Sequence, residues 1–204
     1  MKTISKFALG SFCLLTLFAL PASAATYAID ADHSSVTFKI RHLFSNVTGT
    51  FDKFEGTIDY EPDKPETWKA QATIQADSID TRVEQRDKHL RSKDFFEVEK
   101  YPTLTFTSTK VTFNNARAVD ATAQRAELEG NLTIHGVTKP VVLDLVIHGV
   151  GKDPWGNTRA GFTATTKIDR KDFGLIWNKA VETGGVLVGD EVEITLEVEG
   201  LSKG

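Results

Sequence analysis

Five histidines, His33, His42, His89, His135 and His148, are the first residues of this sequence whose chemistry invites a site. Imidazole is a common metal ligand, but a zinc site readable from sequence shows short ligand spacings or thiolate partners. No pair here forms His-x-His or His-x-x-x-His, and no metal site is expected. His42 shares the parity of Phe38 and Ile40, so it is either a polar group turned inward or a satisfied core or rim histidine. A second cluster, Arg82, Arg86, Lys88, His89 and Arg91, lies on one segment. Arginine offers a planar fork of donors to a phosphate or carboxylate. Arg82, Arg86 and His89 are therefore candidates to receive a charged head group. The bland alternative is a solvated helix face balanced by Glu84 and Asp87. Gly184-Gly185-x-x-x-Gly189 lacks the Lys-Ser or Lys-Thr of a phosphate loop and reads as a turn before the last strand. Neither G-x-S-x-G nor H-E-x-x-H occurs, so no catalytic residue is assigned, although distant residues can converge in a fold.

The single cysteine, Cys13, falls in a leader. Lys2 and Lys6 begin it, Phe7 to Leu20 are apolar, and Pro21-Ala22-Ser23-Ala24 is a small-residue cleavage site. Residues 1–24 read as a signal peptide cleaved after Ala24, and a periplasmic location follows as the expectation. A domain of residues 25–204 would then contain no cysteine, which excludes disulfides, thiol catalysis and thiolate metal sites. The net charge of −4 becomes more negative once Lys2 and Lys6 are removed, and no basic patch with interleaved aromatics appears. Nucleic acid is disfavoured as a partner.

The remaining residues alternate with period two almost throughout, the signature of strands with one wet face. Val36, Phe38, Ile40 and His42 oppose Thr37, Lys39 and Arg41. Asn46 and Gly49 read as turn material before a second run from Phe51 to Tyr60. Parity changes there between Phe51 and Phe54, and a bulge at Asp52 and Lys53 would absorb the extra residue and bend the sheet. Trp68, Ala70, Ala72, Ile74 and Ala76 form a face of unusually small side chains, which leaves space inside. Residues 81–98 break the pattern as a short amphipathic helix with Thr81 as its cap. Strands resume through Leu104 and Phe106, Leu128 to Ile134, Val141 to Ile147, Phe162 to Ile168 and Val192 to Val198. About eight long strands plus a short first one predict an all-β domain: a single antiparallel, eight-stranded, up-and-down barrel with one helix inserted mid-chain.

Several motifs in this order resemble the YceI-like family of bacterial secreted, lipocalin-like barrels associated with polyisoprenoid binding. They are His33-Ser34-x-Val36-x-Phe38 with His42, Gly49-x-Phe51-x-x-Phe54-x-Gly56, Ser78-Ile79-x-Thr81, and Arg86-Asp87-x-His89-Leu90-x-Ser92 with Phe95-Phe96 and Tyr101-Pro102. Gly130-x-Leu132-Thr133-Ile134-x-Gly136-Val137-Thr138, Arg170-x-Asp172-Phe173-Gly174 and Val188-Gly189-Asp190 continue the match. Asp32 departs from it, standing where a small residue is expected.

The resemblance implies a lumen holding one long isoprenoid or other lipid chain, with no cofactor besides that ligand. The inward positions expected to line it are Phe38, Ile40, His42, Phe54, Ile58, Ile74, Leu104, Phe106, Leu132, Leu143, Leu145, Phe162, Trp177 and Leu196. Transient contact with a membrane or with quinone-linked membrane proteins, and a homodimer, are family-level expectations that no residue here specifies. An enzyme acting on a prenyl lipid, or a stress protein with a filled core, are the alternatives.

Overall fold

The computed structural model describes residues 25–113, 124–180 and 186–203. The expected signal peptide with Cys13, and the Gly184-Gly185 pair, lie outside them. In chain order the elements are β1 (Ala25–Ile29), β2 (Ser35–His42), β3 (Ser45–Phe51), β4 (Phe54–Tyr60), β5 (Lys69–Gln75) and β6 (Ile79–Asp80). They continue with α1 (Glu84–Arg91), β7 (Thr103–Phe113), β8 (Gln124–Ile134), β9 (Val137–Lys152), β10 (Thr158–Asp169) and β11 (Val188–Ser202). Hydrogen bonding runs β1-β4-β5-β7-β8-β9-β10-β11 and returns to β1, so the sheet is a closed antiparallel barrel of eight staves. The ring closes through β1 and β11; among the described strands, the two-residue β6 pairs with β3 alone.

Three staves are built from two segments each. β2 carries on from β1 along β11, interrupted by a turn of 3-10 helix, Ala31–His33, whose Asp32 amide is capped by Asp30. The short first strand is thus the start of the first stave. β3 and β4 share the second, separated at Asp52 and Lys53, where the alternation changes parity as expected. Ser78 satisfies the amides freed by that break: its carbonyl accepts from Asp52 and its hydroxyl from Lys53. β5 and β6 form the third, divided by the 3-10 turn Ala76–Ser78.

Three local expectations are corrected. The first hairpin turns at Leu43 and Phe44, with His42 opposite Ser45, so Asn46 and Gly49 belong to β3. Gly49 pairs with Phe38, and a Cβ there would strike the Phe38 ring; the glycine makes room for an aromatic side chain. The helix starts at Glu84, and Thr81 does not cap it. Thr81 instead donates its amide and hydroxyl to buried Asp87 on the helix's first turn. Gly189 lies within β11 rather than in a preceding turn.

Inward side chains form two clusters at different depths. One end of the barrel is filled by Tyr27, Tyr60, Trp68, Phe162 and their neighbours, with ring centroids 4.5 Å apart for Tyr60–Trp68 and 5.2 Å for Tyr60–Phe162. The indole of Trp68 donates to the Glu61 carbonyl at 2.6 Å, which satisfies its one polar atom inside this plug. At the other end Phe51, Ile79, Leu104, Ile134, Phe173 and Leu175 pack under α1 and the segment after it.

Candidate binding cavity

Between plug and helix the barrel encloses a cavity of about 860 Å³. That lies at the upper end of the range for small-molecule sites, about 300–1,000 Å³. Its wall is predominantly apolar and draws on most staves, including Val36, Phe38, Ile40, Phe54, Ile74, Phe106, Leu132, Ile194 and Leu196. Of the small side chains on the face that runs from Trp68 to Ala76, only Ala72 is part of the wall; Ala70 packs against the plug and Ala76 is buried in the cluster at the other end. Gly130 makes room: a Cβ there would collide with the Phe106 ring, which lies against the cavity.

Of the inward positions expected from the sequence, Phe38, Ile40, His42, Phe54, Ile74, Leu104, Phe106, Leu132, Leu143, Trp177 and Leu196 border this space. Ile58, Leu145 and Phe162 do not. They point inward as their parity requires, but at the depth of the aromatic plug, where Leu145 and Phe162 are buried and Ile58 packs against them.

Polar groups gather where α1 crosses the barrel end. Arg86 and His89, one helical turn apart, both reach the cavity. Arg82 does not: it sits in an exposed left-handed turn before the helix (φ 64°), its amide bonded to Asp80. Arg86 donates through Nε to the Thr81 hydroxyl (2.6 Å) and through one Nη to the Thr81 carbonyl (2.7 Å). No described residue takes its other Nη, which leaves a fixed donor at the cavity mouth. His89 stands edge-on to Phe95 and Trp177 and pairs with Asp94 at 2.9 Å.

The residue that organises the mouth is Arg170, which motif reading noted but assigned no role. Only 3% exposed, it donates to the carbonyls of Leu175, Trp177 and Gly189 and to the Asp190 carboxylate. Its guanidinium thereby ties the strap after β10 to the start of β11 and sets Leu175 and Trp177 against the cavity. The available sequence signal was an arginine in the motif Arg170-x-Asp172-Phe173-Gly174, but its acceptors lie 5 to 20 residues away.

Among the described residues, the one cluster of metal-ligand types is Asp30, His33 and Glu199, far from the mouth. Arg159 already occupies it, donating to Asp30 and Glu199 at 2.6 Å each and to Asp153 at 2.9 Å. Arg159 is the main cause holding the Asp30 carboxyl below its usual pKa.

A YceI-like domain model matches residues 27–200, nearly the whole described barrel. The chain belongs to the YceI-like family. It is 41% identical over 203 residues to a UPF0312 protein of Pseudomonas aeruginosa, covering 98% of this chain and 97% of that one. Among solved structures, the Campylobacter jejuni YCEI protein superimposes with a TM-score of 0.66 at 31% identity, over 96% of this chain and all of the other. A polyisoprenoid binding domain from Saccharophagus degradans, implicated in plant cell wall breakdown, shares the fold at TM-score 0.63 and 18% identity, over 88% of this chain and 99% of that one.

Proposed function

We propose that this YceI-like barrel is a binding protein for a long-chain isoprenoid lipid of polyprenyl or quinone type. The tail lies in the cavity and the head group at the mouth beside Arg86. The observation that carries this reading is the 860 Å³ cavity itself, an apolar interior plugged at one end and bordered by a fixed cation at the other. A barrel selected only for stability would fill such a space, because packed interiors leave few voids larger than a water molecule. The name of the Saccharophagus degradans domain supports an isoprenoid as ligand class. The leader-like residues 1–24 support action in the periplasm, where the barrel would carry or store the lipid.

Mass spectrometry of an organic extract of the purified protein tests this. A stoichiometric prenyl lipid is the expected result. Repeated preparations without lipid, together with no uptake of added polyprenol or quinone, would overturn it. Chemical conversion of the added lipid would instead make the cavity an active site.

A further inference from the structure

Among the described residues seven large apolar side chains are exposed, and four of them, Phe44, Val83, Ile176 and Val186, surround the cavity mouth. Phe44 is the tip of the β2–β3 hairpin, two residues past cavity-lining His42, and is 95% exposed. Leu43 beside it donates its amide to the Leu187 carbonyl at 3.0 Å, which fastens this tip to the segment carrying Val186. Ile176, 70% exposed, adjoins Trp177 on the strap that Arg170 holds. Val83 itself borders the cavity at the approach to α1. Water should disfavour such a ring of apolar tips unless a partner covers it.

The charges between these tips indicate which partner. Arg41 bonds the Leu43 carbonyl beneath Phe44, Arg82 precedes Val83, and Lys179, whose backbone carbonyl accepts from the Leu187 amide, lies next to Val186. All three are exposed, and no carboxylate among the described residues pairs with them. Asp80 accepts from the Arg82 amide itself, and the acids that share a groove with Arg41 have other cations as partners: Asp190 with Lys171 and Arg170, Glu191 with Lys167, and Glu193 with Lys39 and Lys167; Asp94 pairs with His89. Glu84 is 3.9 Å from Arg91. A chain of net charge −4 thus presents unpaired cations at the one end where its apolar tips collect. Apolar side chains that enter the acyl boundary, interleaved with bases that meet anionic head groups, are how proteins seat on a membrane surface.

We propose that the cavity mouth docks on an anionic phospholipid bilayer, with Phe44 and Ile176 inserted, so that cargo passes between bilayer and barrel without crossing water. This rests on the lipid-binding reading for its purpose, but its test does not. The protein is centrifuged with vesicles of phosphatidylcholine alone or mixed with phosphatidylglycerol. Binding to the mixed vesicles, weakened by salt, is expected. Phe44→Ser with Ile176→Ser should weaken it by about tenfold or more, because apolar insertion is lost. Both side chains are exposed, so an unchanged melting temperature should verify folding. Trp155→Ser, 81% exposed on the β9–β10 turn at the opposite end, should leave binding intact. Equal binding by the double variant, a loss with Trp155→Ser, or a mouth-to-mouth dimer that Phe44→Ser dissociates while vesicles go unbound would each overturn docking. Extracted lipid is measured on the same samples. Protein that retains lipid yet ignores vesicles refutes docking alone, and protein that binds vesicles yet holds no lipid refutes the cargo reading alone.

Discussion

Leu132 and Leu145 both point into the barrel, yet truncating each to alanine should have opposite consequences. Leu132 borders the cavity and is only partly buried; Leu145 is 8% exposed within the packed plug. Leu→Ala removes three carbons, worth roughly 2.4 kcal/mol at about 0.8 kcal/mol each when fully buried. At Leu145 the rigid surroundings add a cavity term, for a total of about 3–5 kcal/mol. At Leu132 the lost atoms already face open space, so about 1–2 kcal/mol is expected in the lipid-free protein. With about 2–4 °C per kcal/mol for a chain of this size, melting points should fall by about 6–20 °C for Leu145→Ala and about 2–8 °C for Leu132→Ala. Lipid retention should show the reverse order, since Leu132 meets the ligand and Leu145 does not. Thermal unfolding of extracted and reloaded protein, with mass spectrometry of what is retained, reads both quantities. Equal destabilisation, or greater lipid loss from Leu145→Ala, would refute the division of the interior into plug and cavity.

Arg170→Met should cost about 3–5 kcal/mol by leaving the Leu175, Trp177 and Gly189 carbonyls without their donor, and urea unfolding with faster lipid release would show it. Gly130→Ala should drive the Phe106 ring into the cavity, costing about 1–3 kcal/mol and lowering the longest prenyl chain taken up in a competition assay. Acid should weaken the plugged end. The Asp153 carboxyl is held down to about 2 by its hydrogen bond from Asn157 and then by Arg159, against about 3.9 unfolded. A depressed carboxylate stabilises fully above its unfolded value and loses that contribution as pH falls from about 4 through 2. Calorimetry should therefore show a melting point dropping across that window, and Asp153→Asn should lower it at neutral pH while flattening the decline.

The residues alone determine the period, and with it the face. Val192, Ile194, Leu196 and Val198 alternate with charged or hydroxyl neighbours, and in a strand Cβ directions must alternate too, so inside and outside follow from local geometry. The parity switch at Asp52 and Lys53 was legible for the same reason, and sequential antiparallel pairing made the up-and-down order the simplest closure. Depth was not legible. Leu143 and Leu145 share a strand, a face, nearly the same burial and the packed cluster of the plug, yet only Leu143 also borders the cavity. Position along the barrel axis depends on how far each stave is staggered when the ring closes, a relation among residues distant in sequence. Helix phase was likewise decided late: once Thr81 binds Asp87, the helix begins at Glu84, Arg86 and His89 turn to the cavity, and Arg82 is left outside. Arg170 gains its role only because closure brings the strap and the start of β11 to one guanidinium. Alternation is a property of neighbouring residues, whereas a cavity is a property of the closed ring.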